Sequence, residues 1–126
     1  MALNAAALYR NTSIQTASQA DLTLMLYEGA IKFANRAIIG FEKNDIESIN
    51  LNLIKTQKII TELRASLDHK YPVAKDFEQV YAIIYDFLLD ANIKKNQESL
   101  EHALRYIREM RDTWKQVMEI TNKTKR

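Results

Sequence analysis

The sequence contains no cysteine, only two glycines and only one proline among its 126 residues. The lack of cysteine excludes disulfides, thiolate catalysis and cysteine-based metal sites. Because glycine and proline are the residues that most often interrupt helices, their scarcity favours long uninterrupted helices. No apolar stretch approaches the ~20 residues of a membrane span, and residues 1–10 lack the basic start and apolar run of a signal peptide. We therefore expect a cytoplasmic protein that does not insert into a membrane.

The charge of the chain is nearly balanced, with 18 Lys and Arg against 16 Asp and Glu and a formal net charge of +2. This excess is too small to indicate a nucleic-acid partner. Apolar residues make up 47% of the chain, which is ordinary for a soluble globular protein and argues against disorder. A chain of this length is expected to form one domain with one core.

Apolar residues recur at three- and four-residue steps in four stretches, which is typical of amphipathic helices. Ser18 and Asp21 predict a capping box before the first helix, and residues 44–45 can cap the second. Residues 69–72 contain the only proline and predict a loop, because the residue before a proline is pushed out of the helical region. Residues 94–96 place cations and then a capping Asn between the third and fourth helices.

Four such helices with short connections predict an all-α protein, an antiparallel four-helix up-down bundle with a short N-terminal capping segment. The predicted bundle covers residues 18–120. Residues 1–17 are predicted to form a partly helical or irregular segment that caps the bundle. Residues 121–126 are predicted to form a basic C-terminal tail.

The first helix carries more apolar surface than one core stripe requires. Its predicted core stripe consists of Leu22, Leu26, Gly29, Ala30, Phe33, Ala37 and Phe41. A second apolar row is predicted on roughly the opposite face, at Leu24, Tyr27, Ile31 and Ile38. Such a helix must be covered by the other helices, by the N-terminal segment, by a second copy or by a partner. On the second helix Leu51, Ile54 and Ile59 either broaden the core or form the wall of a groove for a partner helix.

The sequence offers little support for catalytic chemistry, since it has only two histidines, His69 and His102. Glu98 and His102 share a helix face, but a di-iron bundle needs two Glu-x-x-His units and two further carboxylates. We therefore predict no catalytic, cofactor or metal site. One alternative is a histidine phosphotransfer domain in which His102 accepts the phosphoryl group, although the large ring of Tyr106 one turn on would obstruct a docking partner. Another alternative is a generic helical adaptor.

A family resemblance extends over nearly the whole chain. Residues 16–22 (TASQADL) and 24–30 (LMLYEGA) resemble the flagellin-specific chaperone family FliS, whose members read Thr-Ala-Ser-Pro-x-x-Leu and then Met-Leu-Tyr-x-Gly-Ala. Tyr9 corresponds to the family's N-terminal tyrosine, whereas Gln19 stands where the family commonly has Pro. The match continues in family order at residues 44–45, 58–63, 66–68, 91–92 and 110–114.

The resemblance implies a non-enzymatic flagellar export chaperone that works without a cofactor or metal. Such a chaperone binds the disordered C-terminal segment of flagellin, prevents premature polymerisation and assists delivery to the export apparatus. Components of the export gate and a second copy of the chain are further candidate partners. The flagellin segment is expected to lay apolar helix faces into grooves on the bundle, with its ordering entropy opposing binding.

Eight residues are predicted to contact flagellin or to form the groove that receives it. They are Tyr9, Leu22, Met25, Leu26, Tyr27, Ala30, Ile31 and Phe33. The second apolar row of the first helix is predicted to face the partner. Replacing Tyr27 or Ile31 by Asp is then expected to abolish flagellin binding while leaving the fold nearly intact.

Overall fold

The computed structural model describes residues 18–125, with side chains described for residues 18–120. Four helices make up this range, and no strand occurs within it. Their bounds are α1 Gln19–Glu42, α2 Ile46–Ala65, α3 Val73–Lys94 and α4 Gln97–Lys125. The predicted all-α class is confirmed. The predicted capping segment, residues 1–17, lies outside the described residues, and the backbone of α4 stays helical to Lys125.

Each helix packs against two neighbours: α1 and α3 both contact α2 and α4. Because the connections are short, consecutive helices run in opposite directions, so the chain forms the predicted up-down bundle. The face between α1 and α2 therefore lies on the opposite side of the bundle from the face between α3 and α4.

The helix starts follow the local capping signals. The Ser18 hydroxyl accepts a hydrogen bond from the Asp21 amide at 3.1 Å, and the Asp21 carboxylate accepts one from the Ser18 amide at 3.1 Å. This is the predicted capping box. Asp45 caps α2 by accepting from the Ser48 amide at 3.1 Å, while Asn44 turns the chain with a left-handed φ of 54°.

The turn between α3 and α4 is held by a lysine rather than by a glycine. Lys95 adopts the left-handed conformation with φ 51°, and its ammonium donates to the side-chain oxygens of Asn50 at 2.6 Å and Asn92 at 2.7 Å. Asn96 then accepts from the Glu98 amide at 3.0 Å, as the sequence predicts for a cap. These bonds join the α3–α4 turn to α2.

The core side of α1 is built from small residues together with Tyr27 and Ile31. Its buried positions are Tyr27, Ala30, Ile31, Ala34, Ala37 and Gly40. The small residues let α2 come close: a Cβ atom added at Gly40 would lie 3.0 Å from Cγ1 and 3.2 Å from the amide nitrogen of Ile49. Large aliphatic residues of the other helices fill the space around them, among them Leu53, Ile60, Ile84, Leu88 and Ile107.

Candidate partner-binding surface

The second apolar row predicted for α1 does not face outward. Tyr27 is 1% exposed and Ile31 is 9% exposed, and both belong to the core cluster. Ile38 packs against the same cluster and Leu24 is half-buried. The prediction that this row projects away from the core is wrong for Tyr27 and Ile31, because the buried side of α1 is rotated by about 60° from the predicted stripe.

The same rotation brings other predicted site residues to the surface. Met25 is 47% exposed, and Leu22, Leu26 and Phe33 are half-buried. These four side chains lie on one side of α1, together with Gly29. We call the group formed by Leu22, Met25, Leu26, Gly29 and Phe33 the outer α1 face.

Gly29 leaves the middle of the outer α1 face without a side chain. A Cβ atom built at Gly29 would lie 3.4 Å from Cδ1 of Ile59 on α2, which is ordinary van der Waals contact. Ile59 is itself half-buried and packs against the core. Gly29, predicted as a core residue, is half-buried and lies where α1 faces Ile59 of α2.

The predicted site residues thus fall into two groups. Leu22, Met25, Leu26 and Phe33 lie together on the outer α1 face, whereas Tyr27, Ala30 and Ile31 point into the bundle and can only support that face from within. Tyr9 lies outside the described residues.

An apolar cavity of about 520 Å³ lies at the end of the bundle where α1 and α3 begin, α2 ends and the C-terminal half of α4 passes. Its lining is Gln19, Ala20, Thr23, Leu63, Ser66, Leu67, Asp68, Tyr71, Val73, Ala74, Phe77, Tyr81 and Trp114. Gln19 and Ala20, the first two residues of α1, are part of the wall. The cavity is large enough to receive apolar side chains of a bound peptide.

Trp114 joins α4 to the first turn of α1 and to α3 at this cavity. Its indole Nε1 donates to the carbonyl oxygen of Ala20 at 2.9 Å, and its ring meets the ring of Phe77 edge to face with centroids 6.5 Å apart. α4 is thereby fixed to the first turn of α1 and to α3. A ligand that entered the cavity would contact this indole.

Sequence reasoning missed this cavity, although two of its residues carried a signal. Tyr71 and Val73 flank Pro72 in the α2–α3 connection and are exposed, and no helix stripe accounted for them. Apolar residues beside a loop proline that no core stripe uses are typical of a surface that something else covers. The cavity itself depends on how four helix ends meet, which the sequence does not state.

A second, shallower groove of about 320 Å³ lies between α2 and α3. It is lined by Ile54, Gln57, Lys58, Thr61 and Tyr85. Ile54 is one of the residues predicted to form a groove wall, and it does so here. Leu51 lies on the exposed side of α2, one turn before Ile54, whereas Ile59 belongs to the face toward α1.

At the centre of the bundle, the hydroxyl groups of Tyr27 and Tyr81 are hydrogen-bonded to each other. Burial is the main cause that raises the pKa of both phenols above the ordinary value of 10.0. For Tyr27 the neighbouring Tyr81 raises the pKa further, whereas for Tyr81 the hydrogen bond from Tyr27 partly offsets the rise. Tyr81 also belongs to the cavity wall, so the pair connects the cavity to the core.

The environment of His102 offers little to a phosphotransfer reaction. Its imidazole lies 5.2 Å from the ring of Phe87 and its Nε2 is 3.6 Å from a carboxylate oxygen of Glu98. Tyr106, one turn on, stacks on the same Phe87 with centroids 6.0 Å apart. The aromatic rings and the carboxylate therefore flank His102 where a phosphodonor protein would have to approach.

Neither a metal site nor a membrane span is found in the described part of the chain. No three His, Asp or Glu side chains among these residues are grouped so that they could hold a metal ion. No helix of residues 18–125 combines the length and apolarity needed to cross a membrane.

Comparison with known proteins agrees with the resemblance seen in residues 16–30. The family model described as Flagellar protein FliS matches residues 1–121. The chain is 37% identical over 115 residues to the flagellar secretion chaperone FliS of Bacillus subtilis (strain 168), covering 91% of this chain and 86% of that relative. It is 28% identical over 108 residues to the flagellar secretion chaperone FliS of Escherichia coli (strain K12), covering 83% and 79%. This chain therefore belongs to the FliS family, whose relatives in these two bacteria are flagellar secretion chaperones.

Proposed function

We propose that this protein is a flagellar export chaperone that binds the C-terminal segment of flagellin, keeps flagellin from polymerising early and assists its delivery to the export apparatus. Binding alone performs this task, so the protein acts in the cytoplasm without catalysis or a cofactor. The observation that carries the proposal is the apolar outer α1 face beside a half-open apolar cavity, in a chain that belongs to a family of flagellar secretion chaperones.

The outer α1 face supports the proposal because the bundle does not need it. Leu22, Met25 and Phe33 are not part of the core cluster, and they follow one another along about three turns of α1. A row of apolar side chains with a glycine in its middle fits an amphipathic helix that packs its own side chains against the row at helical spacing. Covering this row would remove apolar surface from water.

The cavity at the bundle end supports binding of a second part of the same segment. A bound chain that continues from the outer α1 face past Leu22 reaches the cavity rim at Gln19. An anchor side chain in the cavity would add buried area close to Trp114 and Phe77. Several shallow contacts of this kind suit a partner that folds as it binds, because ordering the segment costs part of the interaction free energy.

The segment of residues 1–17 and a second copy of the chain are the competing covers of these surfaces. Both are expected to be displaced when flagellin binds, since flagellin would occupy the same apolar area. A phosphotransfer role for His102 has no comparable support, because the imidazole lies against Phe87, on which Tyr106 also stacks.

Calorimetric titration with a peptide of the flagellin C-terminal segment tests the proposal. A one-to-one complex with a negative heat-capacity change is expected, because apolar surface is buried on both partners. The fluorescence of Trp114, the only tryptophan, should change in the same titration if the cavity is filled. A peptide of the same composition in scrambled order is the control. If the native peptide binds no better than the scrambled one, the protein is not a flagellin chaperone.

A further inference from the structure

Phe33, at the end of the outer α1 face, is surrounded by three cations. The Lys32 ammonium lies 5.3 Å from the centroid of its ring, the Arg36 guanidinium 5.5 Å and the Lys55 ammonium 5.0 Å. Lys32 and Arg36 belong to α1 and Lys55 to α2, so the cluster forms only when the two helices pack. We call these four residues the Phe33 cluster.

The cations of the Phe33 cluster are not neutralised within the described chain. No carboxylate of residues 18–120 forms an ion pair with Lys32, Arg36 or Lys55. Some cations elsewhere are paired, as Arg64 is with Glu78 and Arg111 with Glu28 and Asp112, whereas others within residues 18–120, such as Lys58 and Lys75, form no ion pair. The Phe33 cluster differs from these because three unpaired cations meet at one ring. The Phe33 cluster is therefore a local concentration of positive charge in a chain with a net charge of only +2.

Holding three like charges around one ring has an electrostatic cost that a bound anion would remove. Since each cation lies within 5.5 Å of the same centroid, no two can be more than about 11 Å apart. This separation is comparable to the ~8 Å Debye length at physiological ionic strength, so solvent screens their repulsion only in part. The attraction of each cation to the aromatic ring is weak at an exposed site. Carboxylates placed between the cations would interact favourably with all three at once.

We propose that the Phe33 cluster is the subsite where an acidic stretch of the flagellin segment binds and sets its register. The inference rests on the proposed function. The cluster continues the outer α1 face, because Leu26, Gly29 and Phe33 follow one another at three- and four-residue steps along α1. A segment that packs an apolar side chain against Gly29 brings its next turn over Phe33. Carboxylates on that turn would meet Lys55 on one side and Arg36 on the other.

Such a subsite discriminates between segments that are equally apolar. Apolar contacts along a helix face tolerate a shift by one turn, whereas a carboxylate that must meet cations from two helices does not. A segment without acidic residues at this point would leave the positive charges unpaired. The cluster therefore selects an acidic amphipathic segment and also attracts it from a distance.

The test compares two synthetic flagellin C-terminal peptides, one native and one with each Asp and Glu replaced by Asn and Gln. Each is titrated into the full-length protein and into the variant Arg36→Gln/Lys55→Gln at low and at physiological salt. Arg105→Gln/Arg108→Gln removes the same number of charges from α4 and is the matched control. Thermal unfolding of each variant shows whether the surface changes leave the fold intact, as expected for exposed side chains.

The native peptide should bind Arg36→Gln/Lys55→Gln about tenfold more weakly than the wild type, with a smaller dependence on salt. The neutral peptide should bind both proteins equally, and the α4 control should behave as the wild type does. Equal affinity of the wild type for both peptides would overturn the subsite while leaving the chaperone function in place. Loss of affinity in the α4 control alone would overturn it as well. If the wild type binds neither peptide, the proposed function and the subsite both fail.

Discussion

Tyr27 of α1 and Tyr81 of α3 join two diagonally opposed helices through their hydroxyl groups at the centre of the bundle. The two rings lie 6.4 Å apart between centroids and are both almost fully buried. Each hydroxyl is the hydrogen-bond partner of the other, so neither is left unsatisfied in an apolar core. The tyrosine within the family motif of residues 24–30 therefore lies in the core and joins α1 to α3.

Removing both hydroxyl groups of this pair should cost less than the sum of the costs of removing each one alone. Tyr27→Phe or Tyr81→Phe leaves the other hydroxyl buried without a partner, and we expect a loss of about 1–3 kcal/mol in the free energy of unfolding. The double variant leaves no polar group unpaired and should lose less than the sum of the single changes. Urea unfolding of the three variants measures this double-mutant cycle. Additive losses would show that the hydroxyl groups do not interact.

The same pair predicts a loss of stability in alkaline solution. Because burial raises the pKa of both phenols above 10.0 in the folded state, the unfolded state releases these protons first. The contribution of the two neutral phenols to the free energy of unfolding is fully present below about pH 10. It is lost as the pH rises further, by up to ~1.4 kcal/mol per pH unit for each tyrosine. Chemical denaturation between pH 8 and pH 11 measures how steeply the free energy of unfolding falls as the pH rises. The variant Tyr27→Phe/Tyr81→Phe should show a shallower slope, and an unchanged slope would assign the effect to other groups.

An acidic residue at Ile31 should unfold the protein, contrary to the expectation from the sequence. Ile31→Asp places a carboxylate inside the core without a partner, and we expect a loss of about 4 kcal/mol or more. Met25→Asp, on the outer α1 face of the same helix, should leave helicity and thermal unfolding nearly unchanged. Circular dichroism during heating compares the two. A well-folded Ile31→Asp variant would restore the idea that this row faces outward.

The two glycines should respond in opposite ways to alanine. Gly29→Ala adds a methyl group at ordinary contact distance from Ile59, so the better helix propensity should stabilise the protein by roughly 0.5–1 kcal/mol. Gly40→Ala places the methyl group against the side chain and the backbone of Ile49. This substitution should destabilise the protein by about 1 kcal/mol or more. The unfolding free energies of the two variants test the packing of α1 on α2. Stabilisation by both would mean that α2 does not approach Gly40 closely.

The helices and their ends could be predicted because their causes are local. The capping box of Ser18 and Asp21 begins α1, Asp45 caps α2 and Asn96 caps α4. Each capping side chain lies within three residues of the amide that donates to it. The scarcity of glycine and proline and the helical periodicity suffice for the bundle. None of these signals depends on what a helix packs against.

The orientation of α1 could not be predicted in the same way, because apolar residues surround it. The predicted stripe favoured large side chains such as Leu22 and Phe33, whereas the core accepts Ala34 and Gly40, where close approach of α2 matters more than side-chain volume. Ala30 and Ala37 belong to both faces and did not decide between them. The cavity and the Phe33 cluster depend on several helices at once, and no single stretch of sequence encodes either.

The measurement that tests the central claim most directly is the affinity of the flagellin C-terminal peptide for Met25→Asp compared with Ile93→Asp. Both residues are exposed, at 47% and 78%, but only Met25 lies on the outer α1 face. We expect Met25→Asp to weaken binding at least tenfold while remaining folded, because a charge would be buried against an apolar partner. Ile93→Asp should bind as the wild type does. Equal, undiminished binding by both variants would contradict the assignment of the outer α1 face as the surface that receives flagellin.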